Sequence, residues 1–216
     1  RRPLREGVIA DSRITEALLR HFFDKALGKA RFFKPDVVMS VPAGITSVEE
    51  RAVHKAANAV GSRTVTLLPE PLLAALGANL PIHTSSGNMI VNMGGGTTEV
   101  GVLSLDGVVE YESLRVAGDA LNEYIISYMK KKKGIMIGEQ SAENIKIKIG
   151  SAAEIKSPKQ MEVRGRDVGA GMPKSIMGDS NDVDKALEYP LNRIIGAIKR
   201  VIEETYAELS AEIRSR

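Results

Sequence analysis

The first candidate for chemistry is a glycine-rich turn, Gly94-Gly95-Gly96-Thr97-Thr98, which lies between two apolar, strand-like runs. Because glycine has no side chain, such a turn can bring several backbone N–H groups close to one anion. The two threonine hydroxyls add further donors. The turn is not a P-loop, since no Gly-Lys-Ser/Thr follows it and no helix begins there. The same residues are equally typical of a β-hairpin without a ligand.

A second candidate is a glutamate that follows a predicted strand. Glu70 comes just after the strand-like run Thr64–Leu68, and in open α/β sheets ligands bind at the carboxyl ends of strands. A carboxylate there could orient or deprotonate a water molecule. The alternative is a solvated glutamate before Pro71, with no chemical role.

Two groups of charged residues lie on predicted helices. Glu143 and Lys146 are one turn apart on the same side of a helix predicted over 141–150, which by itself is typical of a surface ion pair. Lys130–Lys133 ends the preceding helix, where positive charge interacts favourably with the helix dipole. We interpret this lysine run as a solvated helix end, with a nucleic-acid site as the alternative.

Two adjacent aromatic residues, Phe32 and Phe33, lie in a predicted loop among Lys29, Arg31 and Lys34. Aromatic rings surrounded by cations can insert into an anionic bilayer surface, because the rings are buried there and the cations meet the negative surface potential. The alternative is that both rings pack in the core, as apolar pairs commonly do.

The elements that would position these residues alternate between helix and strand, which predicts an α/β layer fold. The Asp106-Gly107 pair is a hairpin signal, so 89–116 is predicted as an antiparallel meander that carries the glycine turn. Pro190 is expected to break or restart the last helix. The predicted helices cover 11–28, 46–61, 69–78, 117–133, 141–150 and 183–209, and the predicted strands cover 37–41, 64–68, 89–93, 99–105, 108–116 and 161–165.

Composition excludes several classes of protein. The chain has 216 residues, of which 43% are hydrophobic and 26% charged, and this is ordinary for a folded protein. It has no cysteine, so disulfides and thiolate metal sites are excluded. The net charge of +3 and the absence of tryptophan do not favour a nucleic-acid partner. No apolar run is long enough to span a bilayer and no signal peptide opens the chain, so we expect a soluble, intracellular protein.

Several motifs resemble the MreB family of bacterial actin-like proteins over essentially the whole chain. The resemblance implies an α/β, actin-like ATPase fold with ribonuclease H-like halves. The similar segments are Arg-Pro-Leu-Arg-Glu-Gly-Val-Ile-Ala-Asp (2–11), Phe-Phe-Lys-Pro (32–35), Glu-Pro-Leu-Leu-Ala-Ala-Leu-Gly (70–77), Gly-Gly-Gly-Thr-Thr-Glu-Val (94–100), Arg-Val-Ala-Gly-Asp (115–119) and Ile-Lys-Ile-Lys-Ile-Gly-Ser-Ala (145–152).

The resemblance assigns roles residue by residue. Glu70 matches the catalytic glutamate that positions the attacking water, and Thr97 matches a threonine that assists it. Phe32 and Phe33 match a membrane-inserting loop. The positions matching residues that bind the cofactor, ATP with Mg²⁺, are Asn92, Gly94, Gly95, Gly96, Thr97, Thr98, Gly118, Glu143, Asn144 and Lys146.

The chain departs from the family pattern in two ways. Asn92 stands where the family has an aspartate that helps to hold the hydrated Mg²⁺. An asparagine keeps an acceptor oxygen but lacks the charge that a hard cation prefers, so we expect weaker metal handling and slower hydrolysis. The fold is also expected to be incomplete, because an Asp-x-Gly-Thr phosphate motif would precede Arg1 and a Gly-Gly adenosine motif would follow Arg216.

The resemblance also implies domain limits and a biological role. The limits are most of subdomain IA over 1–86, the first part of IIA over 87–120, IIB over 121–184, and the start of the return of IIA over 185–216. The implied role is a cytoplasmic, membrane-associated filament that helps to determine cell shape by guiding wall synthesis. Its expected partners are further copies of itself, the inner face of the cytoplasmic membrane, and cell-wall elongation and membrane-anchoring proteins. The alternative is a structural or regulatory paralogue that binds nucleotide without efficient turnover.

Overall fold

The computed structural model describes residues 4–5, 8–9, 11–28, 33–153 and 155–215. The chain forms two compact units. The first comprises Arg1–Arg115 with Ala197–Arg216, and the second comprises Val116–Gly196.

The first unit contains two short strands, a parallel pair and an antiparallel sheet, together with flanking helices. The parallel pair is β3–β4 and the antiparallel sheet has the order β5-β6-β7. The elements are β1 (Leu4–Arg5), β2 (Val8–Ile9), α1 (Ser12–Leu27), β3 (Asp36–Val41), α2 (Ser47–Ala59), β4 (Thr64–Pro69), α3 (Glu70–Gly77), β5 (Asn88–Met93), β6 (Thr98–Ser104) and β7 (Gly107–Leu114), followed after the second unit by the end of α6 (Ser180–Glu204) and by α7 (Ala207–Ser215).

Local sequence explains where the first helices begin. The Asp11 side chain accepts hydrogen bonds from the N–H groups of Arg13 and Ile14, which caps α1. Thr46 and Glu49 form a capping box at the start of α2, each side chain accepting from the backbone of the other. These helix starts are therefore confirmed.

Strand β6 is the centre of the first unit, since every one of its residues is buried. One face of the β5-β6-β7 sheet packs against α3, with Ala75 and Leu103 in the contact. The other face packs Val100 and Val102 against Ala197 and Val201 of α6. A strand that is covered on both faces is buried along its whole length. This packing holds β6, the strand that leads out of the glycine turn, in place.

The hairpin predicted at Asp106-Gly107 exists, but its turn lies one residue earlier. Ser104 pairs with Gly107, so the two turn residues are Leu105 and Asp106, with φ of 50° and 60°. Non-glycine residues rarely adopt this left-handed conformation. Here the N–H groups of both turn residues donate, at 2.9 Å, to carbonyls of the loop 82–84. Those hydrogen bonds offset the cost of the conformation.

The second unit consists of α4 (Gly118–Lys133), β8 (Ile135–Met136), α5 (Glu139–Ile149), β9 (Gln160–Asp167), β10 (Pro173–Asp179) and the first part of α6. Its sheet has the order β10-β9-β8 and is antiparallel. Its core includes Ile125, Ile145 and Val183, from α4, α5 and α6. The prediction of a strand at 161–165 is confirmed, whereas β10 was not predicted.

The expectation that Pro190 would break the last helix is wrong. Helix α6 continues from Ser180 to Glu204 with Pro190 inside it. Proline removes the N–H that would donate to the carbonyl of Ala186. Pro190 itself is buried, and Leu187 and Ile194 on either side of it are 3% and 4% exposed. Burial of this apolar stripe outweighs the missing hydrogen bond.

The four-part subdomain division stays a prediction. None of the helices within the described residues combines the length and the apolar character needed to cross a bilayer.

Candidate functional site

The glycine turn is a four-residue loop, 94–97, between β5 and β6, closed by the pairing of Met93 with Thr98. The N–H of Gly94 donates to the carbonyl of Thr97 at 2.9 Å, so it is used inside the turn. Within the described part of the chain, the N–H groups of Gly95 and Gly96 donate to no backbone carbonyl. The turn therefore offers an anion the donors of Gly95 and Gly96 rather than that of Gly94.

The two threonines of the motif lie deeper than the glycines. Thr97 is 8% exposed and Thr98 is fully buried at the start of β6, whereas Gly94 and Gly95 are exposed. Sequence analysis predicted a phosphate-binding role for all five residues of the turn motif, 94–98. That role stays a prediction. Gly95 is exposed, and its N–H donates to no backbone carbonyl within the described residues.

Glu70 is the first residue of α3 and directly follows β4. It is half-buried, and this burial, with a smaller effect from the nearby charge of Glu99, raises the pKa of its carboxyl. The side-chain amide of Asn92 on β5 donates to Glu70 Oε2 at 3.5 Å. The fold thus brings Glu70 to the strand that enters the glycine turn.

Glu99 is a residue of this region that the sequence reasoning did not single out. It is completely buried on β6, where its Oε1 accepts from Ser113 Oγ at 2.6 Å and its Oε2 accepts from the N–H of Ala43 at 3.1 Å. Burial raises the pKa of its carboxyl, and these two hydrogen bonds oppose that effect. The available signal was a glutamate inside an otherwise apolar, strand-like run.

The residues of the turn fit a phosphate group better than they fit a directly bound metal ion. Two adjacent backbone donors without side chains suit an anion. No cluster of three His, Asp or Glu side chains that could hold a metal ion exists in the part of the chain described above. Asn92 has an acceptor oxygen, so its role with Mg²⁺ through water stays a prediction.

A second group of predicted site residues lies in the second unit. Lys146 Nζ donates to Glu143 Oε2 at 2.8 Å and to the carbonyl of Gly118 at 3.0 Å. The amide of Asn122 donates to the same Glu143 oxygen at 2.7 Å. Gly118, Glu143 and Lys146 therefore lie together, whereas Asn144 is exposed and forms no part of this cluster. Their nucleotide-binding role stays a prediction.

Asn122 is a further residue that the sequence reasoning missed. It is 4% exposed, and its Oδ1 is buried and accepts no hydrogen bond from any described residue. An unsatisfied buried acceptor is uncommon in folded proteins. The available signal was a polar residue between Leu121 and Ile125 on the apolar face of α4. Its unused oxygen lies beside the predicted nucleoside-binding residues.

The aromatic pair is only partly described. Phe33 is 90% exposed, so it does not pack in a core. Phe32 lies outside the described residues. The membrane role of the pair stays a prediction.

Comparison with known proteins decides the family. The profile of the MreB/Mbl protein family matches residues 1–216. The chain belongs to the MreB/Mbl family. It is similar to the cell shape-determining proteins Mbl of Bacillus cereus, 43% identical over 215 residues, and MreB of Escherichia coli, 43% identical over 217 residues. Each alignment covers 100% of this chain, which spans 65% and 62% of the length of these two curated relatives.

Solved structures confirm the fold. The crystal structure of MreB5 of Spiroplasma citri bound to ADP is similar with a TM-score of 0.90 and 32% identity, covering 98% of this chain and 63% of that one. The same protein bound to AMPPNP gives a TM-score of 0.91. The predicted α/β, actin-like ATPase fold of the MreB/Mbl family is therefore confirmed.

Proposed function

We propose that this MreB/Mbl chain is part of an actin-like, ATP-binding cytoskeletal protein that polymerises into membrane-associated filaments and helps to determine cell shape by guiding wall synthesis. The observation that carries the proposal is the placement of Glu70 beside β5, whose end forms a turn with two available backbone donors. The nucleotide complexes of the Spiroplasma citri relative support the cofactor.

The first unit would hold the phosphates. Gly95 and Gly96 would donate backbone N–H groups to the β- and γ-phosphates, with Gly94, Thr97 and Thr98 shaping the turn. Mg²⁺, when bound with ATP, would neutralise phosphate charge, and Asn92 would reach it through water.

The proposed chemistry is attack of water on the γ-phosphate. Glu70 would orient that water, assisted by Thr97, and the backbone donors would stabilise the charge that develops on the phosphate oxygens. The raised pKa of Glu70 makes its carboxylate a better proton acceptor than an exposed one.

The second unit would hold the nucleoside. Gly118, Glu143, Asn144 and Lys146 are the residues proposed for this role. A carboxylate suits ribose hydroxyls, which are hydrogen-bond donors, and the ammonium group fixes that carboxylate in place. The subdomain limits that we propose are those that the resemblance to the family implies, namely 1–86, 87–120, 121–184 and 185–216.

Localisation and partners follow from the same proposal. The protein would lie in the cytoplasm on the inner face of the membrane, where Phe33, with Phe32, would insert. Its partners would be further copies of itself and the proteins of wall elongation and membrane anchoring. No nucleic acid is proposed, because the lysine run at the end of α4 is largely a solvated helix end, in which Lys133 pairs with Asp182 at 2.7 Å.

A second candidate function is a structural or regulatory paralogue that binds nucleotide and assembles without efficient turnover. The amide of Asn92 favours it, since this side chain contacts Glu70 and lacks the charge of an aspartate. Phosphate release separates the two candidates.

The experiment is assembly of the purified protein with ATP and Mg²⁺, followed by sedimentation, electron microscopy and phosphate release. The proposal expects ATP-dependent filaments, with phosphate release that Glu70→Gln abolishes. Filaments without phosphate release would favour the paralogue. Absence of both would contradict the proposal.

A further inference from the structure

Glu99 is a buried carboxyl group to which the proposed function gives no role. It has no solvent exposure, and its described hydrogen-bond donors, the Ser113 hydroxyl and the Ala43 N–H, are both neutral. Within the described residues it forms no ion pair. Burying a carboxylate without a cation is costly. We therefore ask which elements of the fold the two hydrogen bonds of Glu99 connect.

The first hydrogen bond connects neighbouring strands. Glu99 lies directly opposite Ser113 of β7 in the sheet. On its other side it lies opposite Asn92 of β5, the residue that donates to Glu70. Side chains at paired positions share one face of a sheet. Asn92, Glu99 and Ser113 therefore form one polar row across the sheet.

The second hydrogen bond connects the antiparallel sheet to the parallel pair. Ala43 belongs to the loop 42–44, which follows β3. Val41 at the end of β3 is the register partner of Pro69, the residue before Glu70. The loop and Glu70 therefore leave the same end of neighbouring parallel strands. Glu99 reaches this end from the strand that leaves the glycine turn.

Close packing surrounds this connection. A Cβ on Gly101, two residues after Glu99 on the same face, would lie 2.7 Å from Cβ of Pro71 in the first turn of α3. A Cβ on Gly44, which has φ of +76°, would lie 2.9 Å from Cε2 of Tyr111, the register partner of Gly101. This face of β6 and β7 thus lies directly against the loop 42–44 and the start of α3.

We propose that Glu99 is a positioning residue, which holds the loop 42–44 and the adjoining Glu70 in a fixed place relative to the glycine turn. The inference rests on the proposed function to the extent that Glu70 orients the attacking water. The role depends on the acceptor oxygens of Glu99, since one accepts from Ala43 and the other from Ser113. A glutamine side chain has the same length, and its oxygen can accept from the Ala43 N–H while its NH₂ group donates to the Ser113 hydroxyl oxygen.

The experiment compares Glu99→Met with Glu99→Gln in the purified protein. The methionine side chain has no strong hydrogen-bond acceptor, whereas the glutamine side chain retains a carbonyl oxygen. The matched control is Glu112→Gln, since Glu112 lies one residue before Ser113, hence on the opposite face of β7, and pairs with Arg200. Hydrogen exchange of the Ala43 and Gly44 amides is measured without nucleotide, with α5 as the internal reference, since Pro42 has no backbone N–H. We expect faster exchange of these two amides in Glu99→Met, and wild-type exchange in Glu99→Gln and Glu112→Gln.

Phosphate release supplies the functional readout. We expect Glu99→Met to lower kcat at least tenfold with KM for ATP unchanged, and Glu99→Gln to restore kcat. Unchanged exchange of the Ala43 and Gly44 amides in folded Glu99→Met would overturn the inference, as would a loss of kcat that Glu99→Gln does not restore. If the wild type releases no phosphate, the proposed hydrolysis fails, while the exchange result still decides whether Glu99 holds the loop.

A second variant covers the case in which Glu99→Met does not fold. Ser113→Ala removes one of the two hydrogen bonds and leaves the carboxyl group in place. Faster exchange of the Ala43 and Gly44 amides would support the inference, because Glu99 would have lost one of the two contacts that orient it. Wild-type exchange would overturn it.

Discussion

The side-chain amide of Asn92 donates a hydrogen bond to Glu70 Oε2 at 3.5 Å. An aspartate at position 92 could not donate, because an ionised carboxylate only accepts hydrogen bonds. Two carboxylates would then face each other, an arrangement that like charges make unfavourable unless a cation lies between them. The residue at position 92 therefore decides whether this side chain can donate to Glu70.

Asn92→Asp is expected to raise phosphate release in the presence of Mg²⁺, because it restores a charged acceptor for the hydrated ion. Without Mg²⁺ the same variant is expected to melt at a lower temperature than the wild type. Asn92→Ala is the control, since it removes the amide without adding charge. Equal rates of phosphate release by the wild type and Asn92→Asp at all Mg²⁺ concentrations would contradict the metal role of this position.

Lys146→Met is expected to weaken binding of a fluorescent ATP analogue about tenfold or more, because a hydrogen bond to a charged group contributes about 1.5–3 kcal/mol. The substitution removes the donor shared by Glu143 and Gly118. Lys148→Met is the matched control, because Lys148 is exposed on the same helix. Wild-type affinity in a folded Lys146→Met protein would show that this cluster does not hold the nucleoside.

Phe33→Ser is expected to lower association with anionic vesicles roughly tenfold or more, because burial of one such ring contributes about 1.5–3 kcal/mol. Changing Phe32 and Phe33 together is expected to abolish association in a flotation assay. Tyr206→Ser, which alters another aromatic residue that is 73% exposed, provides the comparison. If the double variant floats as the wild type does, another surface binds the membrane.

Asp167 gives a prediction for pH dependence. Its side chain accepts from Lys174 Nζ and from the N–H groups of Gly169 and Ala170, each at 2.8 Å, and these contacts lower its pKa from 3.8 to about 2. A depressed carboxyl pKa contributes stability above pH 3.8 that is lost as the pH falls towards 2.

Asp167→Asn is therefore expected to be less stable than the wild type at pH 7, with a difference that narrows as the pH falls from 3.8 towards 2. Urea unfolding over a pH series measures this difference. The control is Glu188→Gln, which neutralises an exposed carboxylate on α6. A difference that stays constant down to pH 2 would show that the charge of Asp167 contributes nothing.

Local signals explain which elements the sequence predicted. The N-cap at Asp11 and the capping box of Thr46 and Glu49 depend on contacts within a few residues, so sequence alone reveals them. The strands β3 and β4 followed from apolar runs separated by a helix, and their parallel pairing is seen in the structure. The contact of Glu143 with Lys146 was also predictable, because the two residues are one helical turn apart.

Features that depend on distant parts of the chain were missed. The contacts of Glu99 join positions 14 and 56 residues away, and no local pattern predicts them. The turn at Leu105 and Asp106 depends on carbonyls of the loop 82–84, which shift it by one residue from the expected place. Pro190 stays inside α6 because packing around Leu187 and Ile194 outweighs a local rule.

The measurement that tests the central claim most directly is equilibrium titration of the purified protein with a fluorescent ATP analogue and Mg²⁺, with displacement by unlabelled ATP. The account predicts saturable binding that ATP reverses, and weaker binding after Gly95→Val, whose side chain would obstruct the donors of the turn. Absence of saturable binding by this chain, or equal binding by Gly95→Val, would contradict the claim that the glycine turn holds the phosphates of ATP.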